Sequence, residues 1–276
     1  MFRLGLSTMG GKVIDDKLFY DYARCGISAM EISIREDMKL DYKLVRDASE
    51  KYGVEVATYH LPFVNYDLSN PEIADMSMEH FKAIINEGTS YGINTYIIHP
   101  CFEVTEEDRS TRFALAKKNL PIMAEYAQRL GATLAVENLP NQCIGRTSDE
   151  ILEFIGTHPA LRACFDMNHL FHETQADFIR KIGDKLLTTH ISDYDFIFER
   201  HWMPGEGKID WQSVIAALKE INYQGIWMYE VSYKTPKTIF RDREFTAEDF
   251  ERNAKELFAG KAPTVIGTPN PEIYKK

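Results

Sequence analysis

Ala163-Cys164-Phe165-Asp166-Met167-Asn168-His169, Leu186-Leu187-Thr188-Thr189-His190-Ile191-Ser192-Asp193 and Glu199-Arg200-His201-Trp202-Met203-Pro204-Gly205-Glu206-Gly207-Lys208-Ile209-Asp210-Trp211 are three pieces of one stretch. The first two are short strand-like runs that end on metal-ligand residue types, Asp166 and His190. The third is a Gly-containing loop leading into a helix-like segment. A charged side chain at the end of an apolar strand carries a desolvation cost unless it binds something. Neighbouring strands that all end this way point to one shared site.

The same alternation runs outward in both directions. Strand-like runs are expected at Phe2 to Ser7, Ala29 to Ile34, Val54 to Tyr59, Asn94 to Ile98, Thr133 to Val136, Leu161 to Phe165, Leu186 to Thr189 and Gly225 to Tyr229. Between them lie helix-like segments at Asp15 to Arg24, Tyr42 to Tyr52, Pro71 to Tyr91, Glu106 to Leu130, a segment opened by Thr147-Ser148-Asp149-Glu150, Gln175 to Ile182, Trp211 to Ile221 and Ala247 to Phe258. Thr147 to Glu150 reads as a capping box, and a Gly10-Gly11 loop follows the first strand. Regular βα alternation demands parallel strands with helical crossovers, and about eight units in this length suit a closed (β/α)8 barrel, an α/β fold. The barrel is expected over residues 1–260. The remainder, 261–276, with Pro263, Pro269 and Pro271, reads as an extended C-terminal tail.

Composition narrows the class. The chain has 276 residues, 44% of them hydrophobic, enough for one large core. Its formal net charge of −10 repels phosphate backbones and argues against a nucleic-acid partner. Cys25, Cys101, Cys143 and Cys164 show no CxxC spacing and read as reduced thiols of a cytoplasmic protein. No signal-peptide pattern or membrane-spanning run is evident.

In such a barrel the C-terminal strand ends share one rim, where active sites form. The residues at those ends are Glu31, His60, His99, Glu137, Asp166, His190 and Glu230, every one a carboxylate or an imidazole. Taken singly, a strand-end His or Glu is usually a satisfied polar residue. Seven converging on one rim repel one another unless a cation is present. Glu, Asp and His without a thiolate suit one divalent ion: Mn, Co, Mg, Zn or Fe. Two glutamates flanking a bound α-hydroxy carbonyl could take a proton from one face and return it to the other, while the ion polarises the carbonyl and stabilises an enediolate.

The strand ends Glu137-Asn138, Asp166-x-x-His169, His190 and Glu230, with Pro204-Gly205-Glu206-Gly207-x-Ile209-Asp210-Trp211, resemble the xylose isomerase-like TIM-barrel superfamily. The similarity is to its sugar phosphate isomerase/epimerase branch, which includes ketose 3-epimerases and inosose dehydratase-like proteins, and it runs from Arg3 to about Phe258. It implies that Glu137, Asp166, His190 and Glu230 ligate a single divalent metal and that Glu137 and Glu230 are also the acid/base pair. It implies substrate contacts for His169, with His60 and His99 lining the pocket. Arg200 or His201 would hold the far end of the sugar, and Trp202 would either stack on a sugar face or pack the loop. The expected activity is isomerisation or epimerisation of a small sugar or cyclitol, with a homodimer allowed by aromatic rim loops and the proline-rich tail.

Other activities occur on related barrels. An inosose dehydratase-like lyase would use the same ligands to expel a hydroxyl. The endonuclease IV branch cleaves abasic DNA with three zinc ions. His60, His99, His169 and His201 are present for it, with Glu199 where that branch has Asp. Against it stand the longer carboxylate arm, the acidic chain and the aromatic loop Tyr194, Phe196, Ile197 and Phe198. A non-catalytic sugar-binding barrel would be expected to lack a ligand, and none is missing. Arg35, Lys39, Arg146 and Arg200 are the candidates for a phosphate contact.

Overall fold

A computed structural model of the protein describes residues 2–9, 12–34 and 39–274; the Gly10-Gly11 loop and Arg35 lie outside the described residues. Eight strands run in chain order around a closed barrel: β1 (Arg3–Ser7), β2 (Ala29–Ile32), β3 (Glu55–His60), β4 (Thr95–Ile98), β5 (Thr133–Glu137), β6 (Leu161–Asp166), β7 (Leu186–Ile191) and β8 (Ile226–Tyr229). All neighbours are parallel, and β8 closes on β1 through Arg3 to Leu6 opposite Ile226 to Tyr229. The helices are α1 (Asp16–Arg24), α2 (Tyr42–Tyr52), α3 (Ala74–Ser90), α4 (Arg109–Arg129), α5 (Ser148–Ile155), α6 (Gln175–Ile182), α7 (Trp211–Glu220) and α8 (Ala247–Phe258).

Strand side chains alternate with period two, so residues two apart share the barrel interior. Ile97, Ala135 and Cys164 form a small fully buried cluster of their own. His99, Glu137 and Asp166 each lie two residues beyond them, which lifts these polar groups one layer toward the C-terminal rim. The large core lies outside the strands, where Phe19, Phe81, Leu120, Phe154, Phe178 and Leu218 pack from the helices.

Local chemistry sets the helix ends. The side chains of Asp15, Asp41, Thr174 and Asp210 accept from first-turn amides of α1, α2, α6 and α7. Thr147 caps α5, but Glu150 accepts from Gly145 N and Arg146 N, so the reciprocal bond falls ahead of the position a capping box would use. A complete box stands at Thr246 and Asp249 instead. The helix expected from Pro71 is a turn until Ala74, where Asn70 Oδ1 accepts from Glu72 N.

Two further strands, β9 (Ile239–Arg241) and β10 (Gly267–Pro269), pair antiparallel and lie outside the barrel. They bring residues of the 261–276 segment against the loop between β7 and α7. Arg241 and Glu206 form a fully buried, two-pronged ion pair. A Cβ on Gly205, whose φ is +97°, would collide with Pro263.

That loop is organised by Asp193, which is wholly buried. Its carboxylate accepts from Tyr194 N, Ile209 N, Gly205 N and Trp211 Nε1, at 2.8 to 3.1 Å. Its backbone exchanges two hydrogen bonds with Trp202. Trp202 is fully buried and its indole N–H donates to Thr238, so it packs the loop. Gly207 is required because any Cβ there would overlap Asp193 Oδ1 and the Tyr194 backbone. Gly207→Ala is therefore expected to destabilise the protein by about 3 kcal/mol, the upper range for overpacking. Urea denaturation of the variant measures this, and an unchanged midpoint would contradict the packing described.

Candidate active site at the C-terminal rim

Glu137 is 1% exposed and sits at the centre of the rim. One oxygen, Oε2, faces His60 Nε2 at 3.0 Å and His99 Nε2 at 3.1 Å. The other, Oε1, faces His190 Nδ1 at 3.1 Å. His190 Nδ1 also lies 3.3 Å from Glu230 Oε2 and 3.9 Å from Asp166 Oδ2. One ligand atom from each of Glu137, Asp166, His190 and Glu230 falls within 4.8 Å of all the others.

The surrounding residues fix these groups. His190 Nε2 donates to Glu31 Oε2 at 3.0 Å, and Thr58 Oγ1 donates to the same oxygen at 2.8 Å. That bond turns Nδ1 toward the cluster, the arrangement by which a carboxylate orients a metal-ligating histidine. Asn138 ties β5 to β6 in both directions: its Oδ1 accepts from Asp166 N at 2.7 Å and its Nδ2 donates to Asp166 O at 2.9 Å. Its backbone carbonyl also accepts from His169 Nδ1. Asp166 Oδ1 accepts from Asn168 N, whereas the buried Oδ2 has no hydrogen-bond partner.

That orphaned oxygen is a test of whether a cation belongs here. A buried carboxylate oxygen without a donor costs free energy. Three carboxylates and one imidazole around it form a hard-oxygen and nitrogen set that suits a divalent ion. The residues present fit such an ion.

Electrostatics agree. Burial alone would raise the Glu137 pKa, but His190, His99 and His60 outweigh it and hold the carboxylate well below its ordinary range. Glu230 goes the other way: burial, added to the charges of Asp166 and Glu137, lifts it to about 7 against the pull of His190 and His201. Burial disfavours protonated His60, yet its bond to Glu137 and the nearby acids raise its pKa to about 9. His190 and His169 are likewise raised well above the usual imidazole value, their acidic neighbours overriding burial. In His99 burial wins and the pKa falls. Protons on histidines thus balance a crowd of carboxylates, a balance that a divalent cation would also supply.

Two further histidines, His169 and His201, gather beside this cluster. His169 Nε2 and His201 Nε2 face Glu199 Oε1 at 3.4 and 2.7 Å, and His201 Nδ1 donates to Glu230 O. His201 holds φ at +50°, a left-handed conformation uncommon outside glycine, and such outliers gather at functional sites. His60, His99 and Glu137, and separately Asp166, His169 and His201, also come close enough to share an ion.

These groups form the floor of a cavity of about 620 Å³. His60, His99, Glu137, His169, Glu199, His201 and Glu230 all line it. Arg200 does not. Its guanidinium is bound to Asp195 at 2.9 Å and lies beside the rings of Phe198 and Trp202, so of the two far-end candidates only His201 reaches the cavity. Arg146 is engaged with Asn141 O and Glu106, and Lys39 lines a separate surface depression with Glu87 and Tyr91. Sequence reading assigned no role to Glu31 beyond its strand end, and none to the wall formed by Phe63, Val64, Phe102, Leu139 and Pro140. The signal for Glu31 was present, since it too is a carboxylate ending an apolar run.

With this geometry in view, comparisons with known proteins are informative. The D-psicose 3-epimerase of Enterocloster bolteae is 27% identical over 258 residues, covering 83% of this chain and 83% of that protein. Among solved structures, a D-tagatose 3-epimerase-like protein superposes with a TM-score of 0.79 at 20% identity, over 93% of this chain and 97% of the other. An L-ribulose 3-epimerase does so at 0.78 and 19%, over 94% of each. At those identities the two structures speak for the fold. The sequence profile of the xylose isomerase-like TIM barrel matches residues 19–252, and the chain belongs to that family.

Proposed function

We propose that the protein is a divalent-metal-dependent epimerase or isomerase of a small carbohydrate. The observation that carries this reading is the meeting of two buried glutamates, Glu137 and Glu230, both lining one cavity, with Asp166 and His190 close beside them. The D-psicose 3-epimerase relative gives it further support.

Glu137, Asp166, His190 and Glu230 would hold the ion. When bound, it supplies Lewis acidity toward adjacent carbonyl and hydroxyl oxygens. The chain's own residues do the rest. One glutamate takes the proton from the carbon next to the carbonyl, and the C–H electron pair moves into an enediolate double bond. The other glutamate returns a proton to the opposite face, so configuration inverts and mass is unchanged. His169 and His201, with Glu199 between them, offer hydrogen bonds to substrate hydroxyls, and the enclosing walls limit exchange of the carried proton with bulk water.

Glu137→Gln and Glu230→Gln are each expected to lower kcat by about 10³ or more, because each removes a ligand and a proton carrier. Sugar epimerisation followed by chromatography checks this, and undiminished turnover in either variant would remove the mechanism. Elemental analysis of protein purified without chelators should find one divalent ion per chain. Close to three zinc ions would overturn the reading and make abasic-site DNA the substrate to test. Glu31→Gln should weaken metal retention by about 10–100-fold, the usual cost of losing the group that orients a ligand. Competition with a graded series of chelators reads that loss, and unchanged retention would show that His190 needs no such support.

A further inference from the structure

We infer that the cavity is built for an uncharged sugar that carries an apolar substituent, an aryl or bulky alkyl group, on a carbon remote from the reacting carbonyl. This rests on the carbohydrate reading above and adds the class of substrate.

The cavity has two unlike halves. Its floor is the cluster of histidines and glutamates. Its wall is apolar: Phe63 and Val64 from the segment after β3, Phe102 from the segment after β4, and Leu139 and Pro140 after β5. The rings form a continuous strip. Phe63 stacks on His99 with centroids 4.5 Å apart and planes 20° apart, and Phe102 follows 6.2 Å beyond Phe63 at 28°. The strip therefore starts on a floor residue and ends at Phe102, which is 41% exposed, beside Val64 at 49%. Apolar surface left open along one side of a polar site marks a place where a ligand is meant to cover it.

Size leads the same way. Even if each of the ~12 non-hydrogen atoms of a free hexose took the ~30 Å³ that a water molecule occupies in the liquid, the sugar would fill ~360 Å³. More than a third of the 620 Å³ would stay empty, and a sugar seated on the polar floor would leave that space on the phenylalanine side. An aromatic ring stacked on that wall is stabilised by burial and ring geometry.

Charge selects against the other obvious extension. Among the described residues, the ionisable side chains lining the cavity are glutamates, Glu103 among them, histidines and the thiol of Cys143. Arg146 and Arg200 are committed elsewhere. Among the described residues no guanidinium or ammonium lines the cavity, so a phosphate ester would lack there the side chains that commonly hold it.

The test uses the metal-supplemented full-length protein and follows exchange of the carbon-bound proton next to the carbonyl in D₂O by NMR. The probes are D-fructose and D-tagatose, each free, as the 6-O-benzyl ether and as the 6-phosphate. The benzyl ethers are expected to exceed the free ketoses in kcat/KM by about tenfold or more, the order that burial of one aromatic ring gives, and the phosphates should fall below both. Phe102→Ala should cut the benzyl-to-free ratio of kcat/KM at least about fivefold, and an unchanged ratio would overturn the inference. Phe102→Leu should keep most of the preference. Equal values for benzyl and free ketoses, or a preference for phosphates, would overturn the inference. If no ketose exchanges, the carbohydrate reading is what has failed, and the cavity is judged by calorimetric binding of 4-nitrophenyl β-D-glucopyranoside against methyl β-D-glucopyranoside. Binding of the aryl glycoside about tenfold tighter, lost in Phe102→Ala, would uphold the apolar subsite. Equal binding, or none, would refute it.

Discussion

A negative charge on Glu137, buried at the centre of the rim, is the constraint from which much of the surrounding structure follows. Taking a carboxylate out of water costs several kcal/mol even after relaxation, and Glu31, Asp166 and Glu230 are buried beside it. Such a cluster persists only if each charge has a counterpart. His60, His169, His190 and His201, all with raised pKa values, supply it, and His60 and His190 lie within 3.1 Å of Glu137 itself. Remove the barrel and no local segment could assemble this group, because its members come from residues 31 to 230 and meet only when β8 closes on β1. Closure of the sheet and neutralisation of the charges are therefore one event. The parallel barrel satisfies its backbone through strand pairing, so side chains alone carry the unsatisfied polarity into the interior.

The loop between β7 and α7 answers to a second buried charge. Asp193 gathers three amides and an indole N–H, and burial pushes its pKa up against the effect of those donors. Around it the chain turns tightly enough to need Gly207 and to place His201 at positive φ. Glu206 then reaches Arg241 and binds the β9–β10 arm to the back of the same loop. Loop, arm and rim are thus linked by two buried charges. This explains how a long connection with three exposed large apolar side chains, Phe196, Ile197 and Phe198, still delivers Glu199 and His201 to the cavity within hydrogen-bond distance of each other.

The barrel and its polar floor were legible in the sequence because both follow from periodicities. Charged residues closing short apolar runs mark strand ends, and a barrel has one rim where such ends can meet. Helix boundaries moved by up to a few residues, as at Pro71, where Asn70 directs a turn before α3 begins. Other features depend on contacts that no local pattern encodes. The β9 and β10 strands are three residues each; β10 lies in the segment that sequence suggested was an extended tail, and a buried Arg241–Glu206 pair ties β9 to the loop between β7 and α7. Arg200 seemed free to reach a ligand, but Asp195, five residues earlier, captures it. Phe63 and Phe102 lie in connecting segments, where nothing in spacing says whether a ring turns inward, outward or along the barrel mouth.

That difference in legibility reflects a division of labour within the site. Groups that would move protons and hold an ion sit on strand ends, where backbone pairing on both sides fixes Cα positions and second contacts such as Asn138 and Glu31 fix side chains. Tight placement matters there, since misplacement by an ångström can cost orders of magnitude in rate. The wall that would meet the rest of the substrate is carried by connecting segments, which tolerate substitution without disturbing the sheet. Phe102 illustrates the separation. Its backbone N–H is tied to Asp67 and its carbonyl accepts from Cys143, while its ring projects to the cavity without a polar commitment. A change of that ring alters what the cavity accepts and leaves the floor's charge balance intact. On the proposed reading, chemistry and selectivity can therefore vary independently on this barrel, with the apolar wall, more than the proposed ligand set, distinguishing the substrate this chain would choose.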